Sequence, residues 1–196
     1  SYATAVGLTR QAAEALERLA SSLNVAEERA LCLYAAGSLR DEVLEQADVA
    51  EADYRAAVEA DRQSLPAVMA LCLHYERRAL HGQLSSALEL LSGLVRDPAI
   101  EARLLHRAGS LHLDRTGDLE MAARDLARAA QSAPSSVEIL RRLAYVQEAR
   151  GRSRELIGTL QRLLELTTDA QGRAALHTHI GSLLQTRLGE SDEAVR

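Results

Sequence analysis

The stretch Ala36-Gly37-Ser38-Leu39 decides the fold, because it returns as Ala108-Gly109-Ser110-Leu111 and again as Ile180-Gly181-Ser182-Leu183. Each return comes 72 residues after the previous copy. Self-similarity at a fixed period is the signature of repeat proteins, in which each unit buries its apolar face on its neighbours. The three copies therefore predict a repeat architecture.

A second pattern divides the 72-residue period in two. A glycine followed five residues later by a small or apolar residue occurs at Gly7, Gly82, Gly117, Gly151 and Gly189. A sixth position, Glu45, has Ala50 five residues on but lacks the glycine. Glycine readily takes the left-handed conformation that ends a helix, and a small residue lets the next helix approach closely. We therefore expect helix–turn–helix units of about 36 residues, with turns at these six positions.

The composition favours helices over strands. Hydrophobic residues make up 47% of the chain but aromatic residues only 3%, with neither Phe nor Trp. Leucine and alanine, which must then fill the core, are strong helix formers, whereas strands are rich in β-branched and aromatic residues. The net charge of −5 disfavours nucleic-acid binding, and we expect no direct membrane insertion because long apolar runs are lacking.

The pattern resembles the tetratricopeptide repeat (TPR) family. The residues that carry the resemblance best are Leu105, Ala108, Gly109, Gly117-Asp118-Leu119, Ala122, Leu126, Ala129 and Pro134. The resemblance covers essentially the whole chain and implies a right-handed α-solenoid of antiparallel helix pairs. Two units, 66–98 and 135–168, lack the glycine in the middle of the first helix, which leaves their register open by one residue.

The expected units follow from this pattern. A partial repeat at 1–24 holds the end of a first helix and a second helix, and 169–196 is a truncated repeat. Complete repeats are expected at 25–65, 66–98, 99–134 and 135–168. We expect the chain to be a segment of a longer array, because both ends fall inside a repeat unit and no polar capping helix is recognisable. We expect a bacterial source because the basic residues are all arginines, as GC-rich codon usage favours.

Catalysis and metal binding have little support in the sequence. The serines of the three Gly-Ser-Leu copies recur at a structural period, which marks packing positions, since a catalytic serine needs one base and one oxyanion hole built around it. His177 and His179 are two residues apart and therefore point to different faces of a helix. No Cys/His cluster with the spacing of a metal site is present. We expect neither enzyme activity nor a cofactor or metal.

The resemblance implies a concave groove lined by the first helix of each unit. Carried onto this sequence, the groove residues are Tyr34, Tyr75, Arg103, His106, Arg107, Arg141, Arg142, Tyr145 and His179. Arginine forks bind carboxylates well, so we expect a protein partner with an acidic segment. The alternative is that these arginines pair internally with Glu101, Glu138 and Glu148.

These observations predict a non-enzymatic scaffold or adaptor that binds a peptide or a small folded protein in the groove. An alternative is a sensory or regulatory arm of a larger signalling or transcription-control protein. A third is end-to-end self-association through Leu-rich end faces. By default we expect a cytoplasmic location and no nucleic-acid partner.

Overall fold

The computed structural model describes the backbone of residues 2–194 and the side chains of residues 4–186. Within this part the regular structure is helical, which confirms the predicted all-α class. The helices are α1 (Tyr2–Ser22), α2 (Ala26–Glu42), α3 (Ala47–Ala60), α4 (Leu65–Arg77), α5 (His81–Ser92), α6 (Pro98–Leu111), α7 (Leu119–Ser132), α8 (Val137–Ala149), α9 (Ser153–Leu166) and α10 (Ala170–Ala194). A π-helical segment, His112–Thr116, extends α6. None of the described helices is both long and apolar enough to cross a membrane.

The chain divides into two compact units, residues 1–95 with α1 to α5 and residues 96–196 with α6 to α10. In the first unit, α2 packs against α1, α3 and α4, and α4 packs against α5. In the second unit, α6 packs on α7, α7 on α8, α8 on α9, and α9 on α10. Short connections join α2 to α3, α4 to α5, α6 to α7 and α8 to α9, as in antiparallel helix pairs. The predicted helix pairs are therefore present, and we call their members first and second helices.

Left-handed residues end the first helix of each pair. They are Glu45 (φ 52°), Ala79 (φ 53°), Gly117 (φ 72°) and Gly151 (φ 66°). After Ala79 and Gly151, the next amide N–H donates to a carbonyl five residues back, whereas after Glu45 and Gly117 it donates to one six residues back. Glu45 and Gly117 are 72 residues apart, and so are Ala79 and Gly151. Two turn types therefore alternate, and the structural period is a doublet of helix pairs.

Three of the predicted turns are wrong. Helix α1 continues through Gly7, so residues 2–22 form one helix where the end of a first helix and a second helix were expected, and α10 continues through Gly189. Gly82 lies in the first turn of α5, because Ala79 already makes the left-handed turn three residues earlier. A glycine permits a left-handed conformation but does not impose it, since the helical conformation stays open to it.

The repeated glycines allow the two helices of a pair to touch. A Cβ atom added at Gly37 would lie 2.8 Å from ring carbons of Tyr54, and one added at Gly109 would lie 2.8 Å from Cγ of Leu126. Tyr54 and Leu126 are both buried, on α3 and α7 respectively. At Gly181, by contrast, nothing lies within 4 Å of the added atom. Two of the three glycines therefore serve close helix packing within a pair.

A pair of buried polar side chains accompanies each close contact. Arg40, three residues after Gly37, donates hydrogen bonds to Asp53 on α3 and, over 2.7 and 2.8 Å, to Glu17 on α1. The hydrogen bond from Arg40 holds the pKa of Glu17 below its usual value, whereas burial raises the pKa of Asp53. Arg40 therefore ties three consecutive helices together.

The second unit repeats this arrangement 72 residues later. His112, three residues after Gly109, has its Nε2 3.6 Å from Oδ2 of Asp125, which is buried on α7 next to Leu126. Asp53 stands next to Tyr54 in the same way. The pattern of glycine, basic residue, acidic residue and large side chain thus marks both pairs α2/α3 and α6/α7.

We expect Gly37→Ala and Gly109→Ala each to lower the free energy of unfolding by about 1–3 kcal/mol, because the new methyl group overpacks the contact between the paired helices. Urea unfolding followed by circular dichroism measures this change.

Gly158→Ala is the matched control for both variants. Gly158 also lies inside a helix, α9, but nothing is within 4 Å of an added Cβ atom there. The substitution should raise the free energy of unfolding by about 0.5–1 kcal/mol through helix propensity alone. Equal effects at all three glycines would contradict the close-packing explanation.

Candidate functional site

An exposed apolar groove lies between the first helices α2 and α4 of the first unit. It has a volume of about 320 Å³, and its lining includes Tyr34, Ser38, Tyr54, Leu65, Met69 and Leu73. Leu73 is 58% exposed, and Leu31, one helical turn before Tyr34, is 60% exposed. We call this surface, with Leu31, the apolar groove. Several of its large apolar side chains are exposed, which marks surfaces that bind other molecules.

Helix α4 presents this surface because it is apolar on two sides. Leu65, Met69 and Leu73 recur every four residues and form one exposed stripe. Leu71 and Tyr75 belong to another face of α4 and are buried. A helix packed on one side needs only one apolar face, so the exposed stripe is not explained by the core.

Charged side chains lie at one end of the apolar groove. Glu42 and Arg77 both line it. Arg77 forms an ion pair with Asp41 on α2, and Asp41 also lies 3.5 Å from Nδ1 of the buried His74. Asp41 therefore neutralises the charge of Arg77 within the first unit. The groove is consequently a mainly apolar surface.

A row of aromatic rings runs through the first unit behind the groove. Tyr34 and Tyr54 have ring centroids 6.3 Å apart, Tyr54 and His74 6.1 Å, and His74 and Tyr75 5.9 Å. Tyr34, one of the predicted binding residues, lies at the groove end of this row. These ring contacts pack α2, α3 and α4 against one another.

The placement of Tyr75 departs from the expected outward position. Tyr75 is buried and lines a second cavity of about 500 Å³, together with Glu51 and Arg55 of α3 and residues of α5. The unit at 66–98 has no glycine in the middle of its first helix, so the sequence offered no marker of which stripe of α4 faces the partner helix. Leu73 occupies the outward position instead.

The second unit has its own exposed surface around Tyr145 on α8. Tyr145 is 62% exposed, and it lines two neighbouring grooves together with Arg141. One groove, of about 440 Å³, also includes Leu113, Asp114 and Arg142. The other, of about 380 Å³, is bounded by α8, α9 and α10 and includes Leu160, Leu176 and His179. We call the two together the Tyr145 surface.

The four predicted groove arginines differ in their surroundings. Arg142 is bound to Asp114, with Nη1 2.8 Å from Oδ2. Arg103, Arg107 and Arg141 are exposed. Among the described residues, neither Arg103 nor Arg141 has an ion-pair partner. Within the described part of the chain, Arg141 is therefore an exposed arginine on the Tyr145 surface without an ion-pair partner.

The three glutamates proposed as internal partners contact other residues. Glu138 lies 3.9 Å from Nε2 of His106, and Glu148 lies 3.4 Å from Nε2 of His179. Glu101 accepts a hydrogen bond from Ser132 over 2.9 Å and lies 3.9 Å from Arg128 of α7. The alternative pairing with these glutamates does not hold for Arg142, because Arg142 binds Asp114 of the π-helical segment.

The structure brings together some of the predicted binding residues. Arg141, Tyr145 and His179 share one groove, and Arg142 lines the groove beside it. His106 reaches α8 through Glu138. Leu65, Met69 and Leu73 were missed, although their four-residue spacing on a helix that was already apolar elsewhere was visible in the sequence.

Comparisons with known proteins identify similar structures only. No protein-family model matches the sequence, and no curated protein sequence matches it. The structure of MamA is similar with a TM-score of 0.45 and 19% identity, covering 81% of this chain and 88% of that one. The structure of YrrB, described as a TPR protein with an unusual peptide-binding site, is similar with a TM-score of 0.47 and 18% identity, covering 90% of this chain and 85% of that one. With TM-scores under 0.5, these similarities carry no argument about function.

We expect alkaline pH to destabilise the first unit through its buried tyrosines. Burial raises the pKa of Tyr54 and of Tyr75 above the usual value. The folded state then keeps protons that the unfolded chain loses, so this stability is fully present below the ordinary tyrosine pKa of about 10 and is lost as the pH rises through and beyond that value.

Unfolding curves measured between neutral and alkaline pH test this dependence. Tyr54→Phe keeps the ring against Gly37 and should weaken the alkaline loss of stability. Tyr145→Phe, at an exposed position, should leave the alkaline loss as it is in the wild-type protein. An identical pH profile for Tyr54→Phe and the wild-type protein would contradict the assignment.

Proposed function

We propose that the chain is a polypeptide-binding module that holds the apolar side chains of a partner segment in the apolar groove. The observation that supports this most directly is the exposed stripe of Leu65, Met69 and Leu73 on α4, which lines one groove together with Tyr34 of α2. These side chains are uncovered in the described part of the first unit, and their burial by a partner would be favourable.

The shape of the groove favours an amphipathic helix as the bound segment. A groove between two helices accepts a third helix that inserts side chains at three- and four-residue spacing. Methionine adapts its shape to different apolar partners, and Met69 lies in the middle of the exposed stripe. The groove also has hydrogen-bonding groups in the Ser38 hydroxyl and the Glu42 carboxylate, which fix the orientation of a partner.

The Tyr145 surface is a second candidate for partner binding, in the second unit. Arg141 is exposed and lacks an ion-pair partner among the described residues, and it stands beside an exposed aromatic ring. Tyrosine and arginine are enriched among residues that dominate binding energies. A carboxylate of the partner would pair with Arg141 while an apolar group covers Tyr145.

The apolar groove is tested with a displayed library of helical peptides selected against the purified protein. We expect the selected peptides to carry Leu, Met or Phe at three- and four-residue spacing. Leu73→Glu should weaken their binding at least about thirtyfold, since a central apolar anchor contributes about 2 kcal/mol or more. Isothermal titration calorimetry measures the dissociation constants.

Val49→Glu is the matched control for the apolar groove. Val49 is an exposed apolar residue of the same unit, on α3 and outside the groove lining. This variant should bind the selected peptides as the wild-type protein does. Equal losses in Leu73→Glu and Val49→Glu would mean that the peptides do not occupy the groove.

The Tyr145 surface is tested with peptides that carry a carboxylate next to an aromatic or aliphatic residue. Arg141→Glu should weaken their binding about tenfold or more, because attraction is replaced by repulsion. Arg154→Glu, at an exposed position on α9, should leave the affinity unchanged. Unchanged affinity in Arg141→Glu, measured at low salt where charge effects are largest, would remove this surface from the proposal.

A further inference from the structure

A cavity of about 500 Å³ lies between the second helices α3 and α5, on another side of α4 from the apolar groove. We call it the α3/α5 cavity. Pockets that hold small molecules have volumes of roughly 300–1,000 Å³ and are mainly apolar, with a few polar groups that orient the ligand. The apolar lining of this cavity consists of Val58, Leu71, Ala87 and Leu90, together with Tyr75. Its size and lining therefore suit a small molecule with an apolar part.

Two charged side chains at the α3/α5 cavity have no ion-pair partner in the part of the chain that the structure describes. Arg55 and Glu59 both line the cavity, are exposed, and stand one turn apart on α3. Side chains of opposite charge at this spacing can pair on a helix surface, but these two do not. Both charges are therefore available to a ligand.

The third charged residue of the lining, Glu51, is neutralised by its own neighbours. Its Oε2 lies 3.6 Å from Nη1 of Arg78 and 3.7 Å from Nε2 of His74. Burial and the charge of Glu51 raise the pKa of Tyr75, whereas the charge of Arg55 opposes this rise. The guanidinium of Arg55 therefore lies close to the Tyr75 side chain, which also lines the cavity.

The second unit shows that the helix pairs do not need the charges of Arg55 and Glu59. Helices α7, α8 and α9 begin 72 residues after α3, α4 and α5, respectively. The residues at the positions of Arg55 and Glu59 are Ala127 and Gln131. The same arrangement of three helices thus forms with uncharged residues there, so the fold does not explain the two charges.

The space between the two second helices is bridged in the second unit. Arg162 of α9 donates hydrogen bonds to the carbonyl oxygens of Ala130, over 3.0 Å, and of Pro134, over 3.2 Å, at and after the end of α7. The residue at the position of Arg162 in the first unit is Leu90, whose shorter side chain has no hydrogen-bond donor. The α3/α5 cavity is therefore a feature of the first unit that its leucine leaves open.

We infer that the α3/α5 cavity binds a free amino acid with an apolar side chain. Such a molecule carries a carboxylate and an ammonium group on one carbon atom, so it satisfies Arg55 and Glu59 together. An anion or a cation alone would leave one of the two without a partner. The carboxylate accepts charge-assisted hydrogen bonds from the Arg55 guanidinium, and the ammonium group donates to Glu59.

The apolar side chain of the ligand is buried against Val58, Leu71 and Leu90, which removes apolar surface from water on both sides of the contact. The site uses neither the apolar groove nor the Tyr145 surface. It therefore stands or fails independently of the proposed polypeptide binding.

Isothermal titration calorimetry of the purified protein with L-leucine tests the site. We expect a dissociation constant below about 1 mM. Two analogues of leucine each lack one charge: 4-methylpentanoate has no ammonium group, and 3-methylbutylamine has no carboxylate. Each should bind at least about tenfold more weakly than leucine, because one charged hydrogen-bonding group of the protein loses its partner. Glycine should also bind more weakly, since it has no apolar side chain.

Three variants that copy the second unit locate the ligand. Arg55→Ala and Glu59→Gln introduce the residues found at the positions of Ala127 and Gln131, so the helices should form as before. Each should weaken leucine binding at least about tenfold. Leu90→Arg introduces the residue that bridges α7 and α9, and should abolish measurable binding by closing the cavity.

Matched controls lie on α2, outside the cavity lining. Arg29→Ala and Glu28→Gln change exposed residues in the same way as the two charge variants and should leave leucine binding unchanged. Leu73→Glu, which disrupts the apolar groove, should also bind leucine as the wild type does. This last variant separates a failure of the amino-acid site from a failure of the polypeptide-binding groove.

Three results would overturn the inference. One is the absence of leucine binding to the wild-type protein at millimolar concentration. Another is 4-methylpentanoate or 3-methylbutylamine binding as tightly as leucine, which would mean that a single charge is recognised. The third is unchanged leucine affinity in either Arg55→Ala or Glu59→Gln.

Discussion

The close contact of Gly37 with Tyr54, repeated as Gly109 with Leu126, is the constraint on which the helix pairs α2/α3 and α6/α7 depend. A side chain at either glycine would have to share space with atoms 2.8 Å away. Because the helices approach so closely, the buried second-helix residues next to the contact, Ala50 and Ala122, are small. The second helix of each pair covers one face of the first helix. The opposite face of the first helix therefore stays exposed.

A pair of buried polar side chains lies beside each of these contacts, which is unusual for a core built from leucine and alanine. Arg40 is buried with Asp53, and His112 with Asp125, in the two glycine-containing pairs. Removing one member of a buried pair leaves an uncompensated charge or polar group, which is costly. The pairs α4/α5 and α8/α9 lack this arrangement, with Ala87 and Thr159 at the aspartate position. The two kinds of pair alternate, as the two turn types do.

Several features of the candidate surfaces were visible in the sequence and others were not. Arg141, Tyr145 and His179 were expected to lie together and share one groove, since α8 and α10 were both recognised as first helices. Tyr75 was expected to face outward and is buried. The reason is that α4 has apolar residues on two sides, and either side could pack against the rest of the protein. Only the positions of the neighbouring helices decide which side is covered. The ion pair of Asp114 with Arg142 could not be expected either, because Asp114 lies in a π-helical segment that the sequence does not predict.

The sequence by itself determined the all-helical class and the 72-residue period, because these follow from helix propensity and from the spacing of small residues along one helix face. It did not determine where the helices end, since a glycine allows a turn and also allows a helix to continue, as at Gly7 and Gly189. The tertiary structure decided that Ala79 makes a left-handed turn and that the predicted turn at Glu45 is left-handed without a glycine, because the hydrogen bonds that follow them and the packing of the next helix offset the strain of those conformations. It also decided which apolar faces are buried and which stay exposed, because burial depends on the neighbouring helices and not on the residue alone.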